Sequence, residues 1–221
     1  MNVFDIIGPI MIGPSSSHTA GAVKIGFLTR ELMGEKIVKA EIKLHGSFAA
    51  TYKGHGTDKA LVAGLLGMLP DDERIKNSFE SAKNENMTFE FSTIKLEHVH
   101  PNTVIINAIG KSGKTLVVQG SSVGGGEIVI TKLNGMDVNF SGNKNTLVIF
   151  HKDTLGEIAL VSELLANNEI NIAEMRVSRN KLGGEATMVI ETDQQVDHDL
   201  KKAIEDIANI YSVSVISKMQ P

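Results

Sequence analysis

The sequence predicts a mixed α/β (α+β) chain in two parts, a helix-then-strand domain over residues 1–143 and a ferredoxin-like βαββαβ unit over residues 146–221. Three observations carry this. Apolar residues recur at helical spacing after two polar, glycine-bearing loops in the first third of the chain. From Met87 to Phe140 the pattern changes to short alternating runs with Gly and Asn turns between them. Beyond the small polar stretch Ser141-Gly142-Asn143-Lys144-Asn145, the elements run strand, helix, strand, strand, helix, strand. A chain of 221 residues is large for one compact domain and comfortable for two, and 42% hydrophobic residues are enough for a core.

The elements follow in order. Residues 2–12 are apolar and broken by Gly and Pro, so they read as an extended lead-in. Gly13-Pro14 then opens a loop, Ser15-Ser16-Ser17-His18-Thr19, which ends at a buried helix from about Ser17 to Met33. A serine just ahead of such a run is a good N-cap, and Gly34 supplies the left-handed residue that closes it. Ile37 to His45 alternates as a strand. Residues 46–53 read as its outgoing loop. Gly54-His55-Gly56-Thr57-Asp58 opens a second buried helix through Ala60, Leu61, Ala63, Leu65 and Leu66. Asp71-Asp72-Glu73 begins a polar helix to about Glu85, its acids placed at the positive end of the dipole.

Phe89, Phe91, Ile94 and Leu96 alternate loosely. Strands follow over Thr103–Gly110, Lys114–Ser121, Glu127–Leu133 and Met136–Phe140. Asn134-Gly135 is a two-residue hairpin signal. The stretch from Ser121 to Gly126 reads as a flexible glycine loop. In the tail, Thr146–Phe150 is a strand, and Asp153-Thr154 is expected to cap a helix with Leu155, Ile158, Ala159, Leu165 and Ala166 on one face. Ile170–Val177 and Ala186–Ile190 are strands, Asp197–Ile207 a helix and Ser212–Ile216 the last strand.

Composition narrows the chemistry. A net charge of −4 offers no basic field for nucleic acid. The apolar runs are too short to span a membrane, and the N-terminus lacks a basic signal region, so a cytoplasmic protein is expected. There is no cysteine, which removes disulfides, a thiol nucleophile and thiolate metal ligands from this chain. Ser, Thr, His, carboxylate and Lys remain.

Two junctions concentrate these groups. Ser15, Ser16, Ser17, His18 and Thr19 stand at one helix start, and His55, Gly56, Thr57 and Asp58 at the other. A helix start presents free N–H groups and positive dipole to a carboxylate or phosphate. An imidazole beside it can take a proton or bind a carboxylate. The plainer alternative is a polar cap on a buried helix. Two such junctions can meet head to head across one site. His98-Val99-His100 puts two imidazoles on one face of an extended segment but has no third ligand nearby, so no metal site is expected. No Lys or Arg follows either glycine cluster at P-loop spacing.

Gly13-Pro14-Ser15-Ser16-Ser17-His18-Thr19-Ala20-Gly21, together with the run from Gly46 to Asp58, resembles the beta chain of iron–sulfur-dependent L-serine dehydratases. In that family the N-terminal portion is an α/β domain of the allosteric substrate-binding type, shared with some phosphoglycerate dehydrogenases. The tail resembles an ACT domain, an amino-acid-sensing ferredoxin-like fold. Its usual Asp-x-Pro-Gly stands here as Asp153-Thr154-Leu155-Gly156, and Asn171-Ile172 is kept. The resemblance implies conversion of L-serine to pyruvate and ammonia by two chains. A cysteine-bearing alpha subunit would hold a 4Fe-4S cluster that acts on the serine hydroxyl. This chain would bind substrate through Ser15, Ser16, Ser17, Thr19, Gly56, Thr57 and Asp58. His55 is the first candidate for a catalytic histidine and His18 the second. Asp153, Gly156, Asn171 and Ile172 are candidate effector contacts, and the ACT domain is expected to dimerise. The rival reading is a purely regulatory amino-acid sensor with no catalytic residue.

Overall fold

A computed structural model describes residues 11–219. The proposed lead-in, apart from Met11 and Ile12, lies outside the described residues. The chain divides into two compact units after Asn134. The boundary expected at residues 141–145 and this division differ by one strand, which groups with the second unit. Asn134 and Gly135 have φ of 49° and 82°, as a type I′ turn requires.

In the first unit a five-residue π-turn, Ser16–Ala20, runs into α1 (Gly21–Met33). Gly34 ends α1 at φ 72°, its N–H donating to the carbonyls of Arg30 and Glu31. Then come β1 (Ile37–Leu44), α2 (Gly46–Thr51), α3 (Thr57–Leu65), a 3-10 turn (Glu73–Asn77) and α4 (Ser78–Asn84). The strands β2 (Thr88–Thr93), β3 (Thr103–Gly110), β4 (Thr115–Gly124) and β5 (Glu127–Leu133) complete the unit. They lie in the order β2-β1-β3-β4-β5, with β1 parallel to β2 and antiparallel to β3. Only one face of β3 is fully covered: Val104, Ile106 and Ala108 are buried, while Ile105, Asn107 and Ile109 between them are half-exposed. Ala22, Ile25, Leu28 and Leu32 of α1 are buried in this unit with Leu61 and Leu65 of α3.

Three expectations are corrected here. Residues 46–51 form a helix, because Gly46 at φ 55° turns the chain out of β1 and Phe48, fully buried, anchors the turn. The polar helix from Asp71 is two pieces. Asp72 caps the 3-10 turn through the Arg74 N–H, and the Ser78 hydroxyl donates to the Lys59 carbonyl where α4 begins. The Ser121–Gly126 loop is mostly strand: Ser121 and Ser122 pair with Val129 and Ile128, and Gly125 and Gly126, both at positive φ, make the turn.

The second unit begins with β6 (Met136–Phe140) and continues with β7 (Asn145–Lys152), α5 (Glu157–Asn167), β8 (Ile172–Arg179), β9 (Glu185–Thr192), α6 (His198–Glu205) and β10 (Ile210–Ile216). Strand order β10-β7-β9-β8, with every neighbour antiparallel, is the expected βαββαβ arrangement. Leu147 and Ile149 of β7 share one core with Val161 and Leu165 of α5 and Leu200 and Ile204 of α6. The expected cap of α5 is corrected. Gly156 at φ 96° precedes the helix, and Asp153 is held by the β8–β9 hairpin instead. Asp197 does cap α6, accepting the Leu200 N–H at 2.8 Å. Asp197→Ala is expected to cost about 1 kcal/mol in urea unfolding, and an unchanged midpoint would show the cap to be idle.

Candidate functional site

The serine loop is shaped by its own hydrogen bonds. Ser15 is extended, and its Oγ accepts the His18 N–H at 3.1 Å while its carbonyl accepts the Thr19 N–H at 2.9 Å. The Ser16 carbonyl accepts from Gly21. Ser16 and Ser17 therefore occupy the first positions of a helical run, where N–H groups have no acceptor in their own helix. His18 is half-buried and leans toward α2.

Three side chains from two segments, Ser47 and Phe48 of α2 and His55 of the loop before α3, surround that imidazole. Its Nε2 lies 3.1 Å from Ser47 Oγ. Its ring meets Phe48 edge-on at 5.3 Å between centroids, and His55 edge-on at 4.9 Å. Thr19 Oγ1 donates to the His55 carbonyl at 3.4 Å, so the two junctions touch through backbone as well as rings. Burial lowers the His18 pKa below its ordinary value near 6.5 and His55 lowers it further, against a smaller opposing influence of Ser47. The ring is thus neutral at physiological pH.

The other candidates divide. His55 is exposed; its N–H donates to the Thr51 carbonyl. Gly56 at φ 70° brings the chain into α3. Thr57 is fully buried and its Oγ1 has no partner among the described residues, so it lines the interior and not the open side. Asp58 is half-buried, its carboxyl raised by burial, and it accepts the Lys59 N–H. Ser47 and Phe48 were missed as site residues, since their signal lies in a contact 29 residues away.

In the second unit the four effector candidates take separate partners. Asp153 accepts from Arg179 Nη1 and the Gly183 N–H, both at 2.9 Å, and these bonds hold its carboxyl below the usual range. Asn171 donates to Asp193 and to Gln194. Ile172 opens β8 opposite Thr192, and Gly156 starts α5. His98 and His100 meet no third ligand, and no group of three His, Cys, Asp or Glu fit to hold a metal exists among the described residues.

Residues 2–86 match the family model described as serine dehydratase beta chain, and residues 145–209 match the ACT domain. Over 98% of its length the chain is 44% identical to the "Probable L-serine dehydratase, beta chain" of Bacillus subtilis, covering 98% of that protein. This chain belongs to the L-serine dehydratase beta-chain family. The L-serine dehydratase beta chain of Peptoniphilus asaccharolyticus is also 44% identical, over 92% of each chain. The D-3-phosphoglycerate dehydrogenase of Bacillus subtilis is 29% identical over 88% of this chain but only 37% of its own length. The second unit is an ACT domain. As a member of this family the chain is a subunit of a lyase, and its beta designation implies an alpha partner. Its donor set does not fit a 4Fe-4S cluster, because the sequence has no cysteine and the described residues gather no substitute ligands. No helix among the described residues is long and apolar enough to cross a membrane.

Proposed function

We propose that this chain is the substrate-gripping half of a cytoplasmic two-chain enzyme that converts L-serine to pyruvate and ammonia. A cysteine-bearing alpha subunit holds the 4Fe-4S cluster and the ACT domain pairs with a second ACT domain. The observation that supports this best is the convergence of the serine loop and the α2–α3 loop on a neutral imidazole. The N–H groups of Ser16 and Ser17, which meet no acceptor among the described residues, are placed to receive the substrate carboxylate. His18, neutral and held on three sides, takes the proton from the serine Cα. His55, exposed beside it at 4.9 Å between ring centroids, opposes protonation of His18 and so helps to keep the base form available. With the proton and the hydroxyl gone as water, the remaining aminoacrylate hydrolyses to pyruvate and ammonia. Departure of the hydroxyl is assigned to the partner chain, and no residue here is given that role.

Within this reading His18 ranks ahead of His55 as base, because a base needs a fixed direction. His18 has a capped backbone and a bonded ring, whereas His55 has an exposed one. The test is reconstitution. Mixed with its alpha chain under anaerobic conditions, this chain is expected to give serine-dependent pyruvate, and neither chain alone is expected to do so. Pyruvate from the isolated beta chain, or a mixture active with this chain left out, would end the proposal. The sensor-only reading makes the opposite forecast: tight serine binding by the isolated chain and full turnover from the alpha chain alone.

A further inference from the structure

We propose that a row of half-buried aromatic rings beside the His55 loop, Tyr52, Phe91, Phe89 and Phe79, is the surface on which the cluster-bearing alpha chain docks. The rings touch in sequence. Tyr52 meets Phe91 at 5.9 Å between centroids, Phe91 meets Phe89 at 5.9 Å, and Phe89 meets Phe79 at 4.9 Å. They come from three segments. Tyr52 follows α2, Phe79 belongs to α4, and Phe89 and Phe91 alternate onto one face of β2. β2 ends the sheet, so no further strand lies along its outer edge among the described residues. None of the four rings is closed off from water, whereas Phe48, a few residues before Tyr52, is fully buried. Exposed polar residues adjoin them along the chain: Lys53, Glu80, Glu90 and Ser92. Lys53 Nζ stands 5.7 Å from the centre of the Tyr52 ring.

A clustered apolar surface with a polar rim marks a place where another protein sits. Aromatic rings are the groups such contacts are built around, because each offers a large, rigid apolar area. Position names the occupant. The Tyr52 carbonyl accepts the Thr57 N–H at 2.9 Å, and the His55 N–H donates to the Thr51 carbonyl at 3.0 Å. The first ring of the row is therefore fixed to the turn that carries His55. That histidine is exposed, and its ring lies 4.9 Å from that of His18. A chain with no cysteine leaves this side of the site to be completed from outside. A protein that brings an iron–sulfur cluster against His18 and His55 must cover the His55 turn. The aromatic row is the apolar surface continuous with that turn.

This assignment rests on the two-chain reading, and the experiment separates the two. Serine-dependent pyruvate formation is measured at fixed alpha chain and rising beta chain. The titration gives the beta concentration for half-maximal activity and the rate at saturation. Phe91→Ser is expected to raise that concentration about thirtyfold, as loss of a central interface ring does, with the saturated rate kept. Tyr52→Ser, at the loop end of the row, should act in the same direction. Val117→Ser, at an exposed apolar position of β4, should change neither quantity. Urea unfolding of each isolated beta variant keeps loss of fold apart from loss of docking. The cysteine-free chain allows a second readout that leaves every ring in place. Lys53→Cys, alkylated and weighed on the beta chain, should lose most of its reactivity when alpha chain is added. An unchanged half-saturation in folded Phe91→Ser and Tyr52→Ser overturns the proposal, and so does Lys53→Cys alkylated equally fast with alpha chain present. A saturated rate that falls at unchanged half-saturation also overturns it, by placing the rings in the chemistry instead of the contact. Wild-type chains with no joint activity would remove the two-chain reaction, while protection of Lys53→Cys by the alpha chain would still uphold the docking surface.

Discussion

His18→Ala is expected to lower kcat of the reconstituted enzyme by about 10²–10⁴-fold, the range lost when a general base is removed. KM for serine should change far less, since the carboxylate contacts assigned to Ser16 and Ser17 are backbone groups that the substitution leaves in place. The loop should survive the change. Its shape is set by Ser15, which accepts the residue-18 N–H, and alanine keeps that N–H. The pH profile gives a second readout. Burial and then His55 hold the His18 pKa below 6.5, so the neutral, basic form persists into mildly acid solution. The acid limb of kcat/KM therefore falls below pH 6.5. His55→Ala removes one of the two lowering causes and should move that limb upward. The same depression has a sign for stability. The fold favours neutral His18, so this contribution is complete above pH 6.5 and is lost as pH falls through the folded pKa. Full turnover by His18→Ala, or an acid limb that His55→Ala leaves in place, would remove His18 from the chemistry.

The two histidine junctions were legible in the sequence because each couples glycine, hydroxyl and imidazole residues to a buried helix. Their meeting was a reasonable expectation, and the rings do lie 4.9 Å apart. The partner that touches Nε2 was not legible. Ser47 lies in a stretch read as a loop, and what makes it a helix is a glycine at positive φ followed by one buried Phe. Six residues give too little periodicity to reveal that. The strands β3 and β5 were found with their ends in place, since one-sided burial writes itself as alternation. β4 was cut short at Ser121 because Ser, Gly and Gly look like loop, whereas their backbones continue the ladder to Gly124. Asp153 was read as a cap from local order alone, but a carboxylate takes the strongest donors within reach. Those were Arg179 and the Gly183 N–H, nearly thirty residues on. Thr57 illustrates the same limit from the other side: a hydroxyl at a helix start looked available to substrate, yet the packing of α3 encloses it completely.

That packing depends on two glycines, and Gly64→Ala is the substitution expected to damage the fold most. Helices α1 and α3 cross with Gly26 against the backbone of Leu61 and Gly64 against the backbone of Val23. A Cβ added at Gly64 would overlap the Val23 carbonyl oxygen and come within 2.6 Å of the Phe27 nitrogen. These are main-chain atoms of a buried helix, so they cannot swing aside as a side chain does. The helices must separate, and the surrounding core, Leu28, Leu61 and Leu65 at 0% exposure, must open with them. In an exposed helix the same change would stabilise by up to about 1 kcal/mol through lower chain entropy. Here overpacking opposes it and wins, with an expected loss of about 3 kcal/mol. The consequence reaches the site. α1 carries His18 at its leading turn and α3 follows His55, so spreading the helices pulls the two imidazoles apart. Chemical denaturation should show the lower midpoint, and serine-dependent pyruvate formation by the reconstituted enzyme should fall with it. Wild-type stability in Gly64→Ala would mean that the α1–α3 crossing yields easily and that the spacing of the two imidazoles is set elsewhere.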